Sequence, residues 1–301
     1  MRRSNSFCAA IVLAAALALI AFPCCLNAAD SRLEQARAEI EQKIAASGAD
    51  VAVVFQPLEG KHGIKIRPDE SFHAASTMKV GVMLELFRQV HAGTLRMNDT
   101  IPIKNDFHSV VDGSVFHLNA ADDSDNDVYA NMDLTMTVAQ LCEHMITRSS
   151  NLATNLLMEK LGVANIQRTV DANGGSGLVI RRVLEDQKAF DQGIINSTTA
   201  AALARLLKRI AKGKAIDRGS SEQMTAILKR QTFNEAIPAG LPAGTPVAHK
   251  TGEITKIHHD AAIVYAAKPF VLVILVRGIE KREESAKLMA EIARIVYQAA
   301  E

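Results

Sequence analysis

Segments that read as β-strands lie at the two ends of the 301-residue chain, and nearly everything between them has helical spacing. Near the start, Val51-Ala52-Val53-Val54-Phe55 is β-rich, and Gly60-Lys61-His62-Gly63 turns it back into Ile64-Lys65-Ile66, which predicts a hairpin. Near the end, Val247–Thr251, Ala261–Ala266 and Phe270–Val276 read as strands. Arg32–Ala46, with Leu33, Ala36, Ile40 and Ile44 on one stripe, and Lys281–Gln298 predict a helix at either end. In the middle the clearest helices are Thr77–Val90, Val138–Met145, Asn151–Lys160, Thr198–Ala211 and Ser221–Arg230. The expected fold is α+β: an antiparallel sheet flanked by helices, built from about 30–72 and 231–301, with an all-helical lobe of about 73–230 inserted. A cleft between two lobes is a favoured place for a ligand site.

The first 29 residues are set apart from that fold. Met1-Arg2-Arg3 supplies a positive start, Ala9–Phe22 is an almost unbroken apolar run, and Leu26-Asn27-Ala28-Ala29 offers small residues for cleavage before Asp30. This pattern predicts a secretory signal peptide, and hence a periplasmic or secreted protein. The run is short for a membrane anchor, which needs about 20 apolar residues. Cys8, Cys24 and Cys25 fall in this region, leaving Cys142 alone in the mature chain, among Leu141, Met145 and Ile146. No intrachain disulfide is then possible, and Cys142 reads as a small buried hydrophobe. A net charge of +1 supplies no field that would recruit nucleic acid or an anionic membrane.

Chemistry concentrates in three short elements. Ser76-Thr77-Met78-Lys79 opens a predicted helix, so the hydroxyl and the amine lie one turn apart on one face. A serine hydroxyl is a weak nucleophile and needs a neighbouring base, for which Lys79 is the candidate. Ser149-Ser150-Asn151 lies between helical segments, and Lys250-Thr251-Gly252 lies on a predicted strand. In order and separation these elements resemble Ser-x-x-Lys, Ser-Asp-Asn and Lys-Thr-Gly of the class A β-lactamases and penicillin-binding proteins, and the resemblance covers essentially the whole mature chain.

That resemblance implies a β-lactamase-like fold and acyl transfer without a cofactor or metal. It implies that Ser76 attacks a carbonyl and that the backbone N–H groups of Ser76 and Glu253 form an oxyanion hole. It further implies that Ser149 passes a proton to the leaving nitrogen, that Asn151 holds a side-chain amide, and that Lys250 and Thr251, with Gly252 beside them, bind a carboxylate. The partner would be a small β-lactam or a cell-wall peptide, and the oligomeric state stays open. Three departures stand out. Ser150 replaces the usual aspartate, and Glu253 follows Gly252 where a small or hydroxyl residue is expected. Glu185 fits the position of the base that drives deacylation, but Ala189 stands where its partner asparagine belongs.

Other readings compete. The same residues suit a D-Ala-D-Ala peptidase, a transpeptidase or an esterase; a non-catalytic penicillin-binding or cell-wall-sensing module is opposed by the retention of the polar set as a whole. His258-His259-Asp260 suggests a metal site, but no His-Glu-x-x-His helix accompanies it. The run Asp122–Asp127 lacks the glycine and late glutamate of a calcium loop and reads as a solvated surface loop.

Overall fold

The computed structural model describes residues 28–301, so all but the last two residues of the predicted signal segment lie outside it. In chain order, α1 (Ala28–Ser47) leads into β1 (Asp50–Pro57), β2 (Ile64–Ile66) and β3 (Phe72–His73), and a 3₁₀ turn, Ala75–Met78, runs directly into α2 (Lys79–His91). The middle holds β4 (Thr100–Pro102), β5 (Phe107–His108), β6 (Val115–Phe116), β7 (Thr135–Thr137), α3 (Val138–Thr147), α4 (Asn151–Leu161), α5 (Val163–Ala172), α6 (Gln187–Asp191), β8 (Ser197–Thr198), α7 (Ala200–Ala211) and α8 (Arg218–Leu228). The chain closes with β9 (Val247–Ile254), β10 (Ile257–Val264), β11 (Phe270–Arg277) and α9 (Arg282–Ala300).

The two β-rich ends meet in one five-stranded antiparallel sheet of order β2-β1-β11-β10-β9. β1 and β11 pair along their whole length, from Asp50 opposite Arg277 to Pro57 opposite Phe270. Period-two alternation gives each strand two apolar faces. Val51, Val53, Phe55, Leu272, Ile274 and Val276 face a core closed by Ile40 of α1 and Met289, Ile292 and Val296 of α9. Ala52, Val54, Val271, Val273 and Leu275 face a second core, continuous with α2, α3, α4 and α7. Helix α7, in the middle of the sequence, therefore packs on the sheet itself. Strand β9 forms the edge beside the first turn of α2.

Local chemistry moved several boundaries. Asp217 accepts the Ser220 N–H at 3.0 Å, so α8 begins at Arg218 rather than Ser221. Thr199 caps α7 on the Ala202 N–H, and Ser197–Thr198 pairs with β3 instead of joining the helix. The run Asp122–Asp127 is not a solvated loop throughout: Asp123 and Asp125 are buried. His144 donates to Asp125 at 2.6 Å, and Arg148 pairs with both Asp125 and Asp127. Among the described residues no helix is long and apolar enough to cross a membrane.

Candidate active site

Ser76 lies in the 3₁₀ turn that opens α2, between the buried Ala75 and Thr77. Strand β9 comes so near this turn that a Cβ on Gly252 would lie 2.9 Å from the backbone nitrogens of both Ser76 and Thr77. Only glycine permits that approach, and it brings the β9 main chain alongside the serine. Ala75, Ser149 and Glu185 all hold left-handed backbone (φ 44°, 61° and 62°), a conformation costing non-glycine residues about 1–3 kcal/mol each. All three flank the same cleft, where tertiary contacts hold them.

One turn after Ser76, the side chain of Lys79 is fully buried. Its ammonium donates to the Ser149 carbonyl at 2.6 Å, the Ser149 hydroxyl at 3.2 Å and the Asn151 amide oxygen at 2.8 Å. Burial pulls its pKa down to about 7, against the carboxylates of Asp123 and Glu185. Lys250, also fully buried, donates to the Ser149 hydroxyl at 2.9 Å and the Thr251 carbonyl at 2.8 Å. Burial first, then the charge of Lys79, hold Lys250 well below the ordinary lysine range while Asp260 opposes them. The Ser149 hydroxyl thus bridges two lysines from opposite sides of the cleft. The two rigid elements bearing them, α2 and β9, fix its place.

Asn151 joins this cluster to Glu185. Its amide nitrogen donates to the Glu185 carboxylate at 2.7 Å while its oxygen accepts from Lys79. Burial raises the pKa of Glu185; the Asn151 hydrogen bond opposes that, and the carboxylates of Asp123 and Asp122 add to it. The backbone of Leu184 is clamped by Asn155, which accepts its N–H at 2.7 Å and donates to its carbonyl at 3.0 Å. Asp186 accepts from Ser109 Oγ at 2.8 Å, Val110 N at 2.9 Å and Ala189 N at 3.1 Å, capping α6. Ala189 is fully buried and offers no polar group. Asn196 does not stand in for the missing asparagine: its amide oxygen takes the N–H groups of Arg181 and Arg182, and its nitrogen donates to the Arg182 carbonyl and Met78 Sδ.

The cleft has two arms that share Ser76, Asn151 and Glu253. One, of about 390 Å³, opens toward His73, Glu185 and Phe190. The other, of about 400 Å³, opens toward Asp122, Ser149, Thr251 and Arg282. Glu253 is exposed, and its carboxylate accepts from Arg282 Nε at 2.7 Å; Arg282 also pairs with Glu235. Sequence reasoning missed Asp123, Asn155 and Arg282. Asn155, four residues after Asn151 and on the same helix, was the most accessible of these.

His249, His258 and His259 are engaged in hydrogen bonds within the fold. His258 meets Ser285 Oγ at 2.7 Å, and His259 meets the His73 carbonyl at 2.9 Å. Burial lowers the pKa of His259 to about 4. His249 lies 2.9 Å from Asp260, both buried beneath Lys250. Strand alternation sends His258 and His259 to opposite faces, so they do not converge on one ion. Cys142 is fully buried, and desolvation pushes its thiol up to about 12, far from a reactive thiolate.

A helix-start serine, a buried lysine of lowered pKa one turn on, and a second serine held between lysines suit acylation of the first serine, which is the chemistry of a serine hydrolase. The model of the β-lactamase enzyme family matches residues 33–300, and the chain belongs to that family. It is 24% identical to the extended-spectrum β-lactamase PER-1 of Pseudomonas aeruginosa over 306 residues, 98% of this chain and 96% of that protein. It is 26% identical over 292 residues to β-lactamase CTX-M-97 of Escherichia coli, 94% of each chain. In fold it is similar to a β-lactamase from Xanthomonas campestris pv. campestris, with a TM-score of 0.78 at 23% identity, covering 90% of this chain and 99% of that one.

Proposed function

We propose that the protein opens β-lactam amides through an acyl-enzyme on Ser76. The observation that carries this reading is the buried Lys79, whose pKa of about 7 leaves much of it neutral near pH 7 and able to take the Ser76 proton. Ser76 Oγ attacks the carbonyl, and its proton passes to Lys79. The oxyanion is met by the backbone N–H groups of Ser76 and Glu253, donors of a kind that contribute about 3–4 kcal/mol to such transition states. As the C–N bond breaks, Ser149 gives its proton to the ring nitrogen and is reprotonated through the lysines bonded to it. Lys250 and Thr251 bind the substrate carboxylate, with Gly252 admitting the close approach, and Asn151 holds the side-chain amide. Water activated by Glu185 then hydrolyses the ester.

The wholly apolar Ala189 and the engaged Asn196 favour keeping a second reading, in which the same site works on D-Ala-D-Ala peptides or esters and a β-lactam adduct is released slowly. We also propose export, supported by the positive start and short apolar run of the first 29 residues.

The test is incubation of wild type and Ser76→Ala with a labelled penicillin, followed by intact mass spectrometry during turnover of a penicillin and a cephalosporin. Wild type is expected to carry the label at Ser76 and the variant to carry none. Label on any other serine would remove Ser76 from the mechanism, and a long-lived adduct without turnover would favour the peptidase reading.

A further inference from the structure

We propose that Asp123 is the positioning carboxylate of the Ser149-Ser150-Asn151 turn, supplied from the loop between β6 and β7 because position 150 carries none. This rests on the hydrolase reading of the same site. Helix α4 begins at Asn151, and the first N–H groups of a helix have no partner within it. Asp123 accepts two of them, from Asn151 at 2.9 Å and from Leu152 at 3.0 Å. Ser150 takes the third, from Ala153, at 3.2 Å. A side chain as short as serine reaches only its own helix cap, so the negative charge at this helix start comes from 28 positions earlier in the chain.

The Asp123 carboxylate is buried and meets N–H and hydroxyl donors from Asp125, Ser150, Asn151 and Leu152, and the Tyr129 hydroxyl faces both it and Glu185. Its unpaired charge therefore reaches its surroundings with little screening. Lys79 is faced by Asp123, by Glu185 from the loop before α6, and by Lys250 of β9; Glu185 is faced by Asp123, Asp122 and Lys79. Asp123 thus acts twice. It fixes the backbone carrying Asn151, the amide that links Lys79 to Glu185, and its charge favours the protonated form of both groups.

Removing the negative charge lowers the pKa of Lys79 and of Glu185 alike, so whichever one sets the acid limb of the rate profile, that limb moves to lower pH. The experiment is single-turnover acylation by a chromogenic cephalosporin across pH, in wild type, Asp123→Asn and the double variant Asp123→Asn/Ser150→Asp. Asp123→Asn is expected to lose about tenfold in rate and to move the limb down by about half a pH unit. The double variant, with a carboxylate returned to the turn, is expected to recover the limb and most of the rate. A helix cap of purely structural importance would lower Tm and leave the limb in place. An unmoved limb, or a double variant no better than Asp123→Asn, overturns the proposal. If Asp123→Asn does not fold, the double variant decides alone: a wild-type limb supports the proposal, and failure to fold overturns it. A ¹⁵N-lysine NMR titration of Lys79 in the same proteins reads the shift without turnover, so a chain that is never acylated fails the hydrolase reading and still tests this one.

Discussion

At the scale of single residues, the Ser149 hydroxyl lies between Lys79 at 3.2 Å and Lys250 at 2.9 Å, and in the proposed mechanism this ties nucleophile activation to substrate binding. Lys250→Ala is expected to lower kcat/KM for a penicillin by an amount equivalent to about 2–3 kcal/mol, and by much less for its methyl ester. Steady-state kinetics on the acid and ester pair check this, and equal losses on both would remove Lys250 from carboxylate recognition. Near the same end of the cleft, Glu253 and Glu235 hold the guanidinium of Arg282, so an entering carboxylate meets two anions already seated there. Ser76 and Lys79 were legible because a hydroxyl and a candidate base three positions apart share one helix face, whereas Lys250, far along the chain, was legible through the resemblance carried by Lys250-Thr251-Gly252. Asp123 and Arg282 were not, because their partners lie 28 and 29 positions away and no local pattern records such a meeting.

Among the elements, the loop before α6 is where the proposed mechanism places release of the acyl-enzyme. Clamped by Asn155, Asp186 and Asn196, it presents Glu185 from a left-handed backbone and turns Ala189 inward. Glu185→Gln keeps size and a hydrogen-bonding end but removes the base, so acylation is expected to persist while a covalent adduct accumulates. Burst amplitude and steady-state rate on one chromogenic cephalosporin measure it. A variant that turns over like wild type, with no added adduct, would take Glu185 out of the mechanism and bring the peptidase or esterase reading forward. This loop was only half legible. Glu185 could be placed by resemblance, but α6 is five residues long, too short for helical periodicity to register, and α5 follows the end of α4 with only Gly162 between them.

Across the whole molecule, the sheet joins the two ends of the chain, and this was legible from the change of hydrophobic period. The single core running from one sheet face through α2, α3, α4 and α7 was not, since period alone does not say which helix meets which strand. Strand β1 is complete by residue 57, yet its partner β11 begins at residue 270. Such distant pairing makes folding slow, because loop closure must precede the contacts that reward it. A chain ended at Val264 would keep the Ser76, Ser149 and Lys250 elements but lose β11 and α9. It is expected to be degraded by a nonspecific protease at concentrations the full chain survives, and equal resistance would refute the claim. During synthesis, then, the polypeptide passes most of its length out of the ribosome before its central strand pair can form. For a chain exported as proposed, that delay would be useful: β11, the strand between β1 and β10, belongs to about the last tenth of the sequence, so the sheet cannot close until nearly all of the polypeptide has been made.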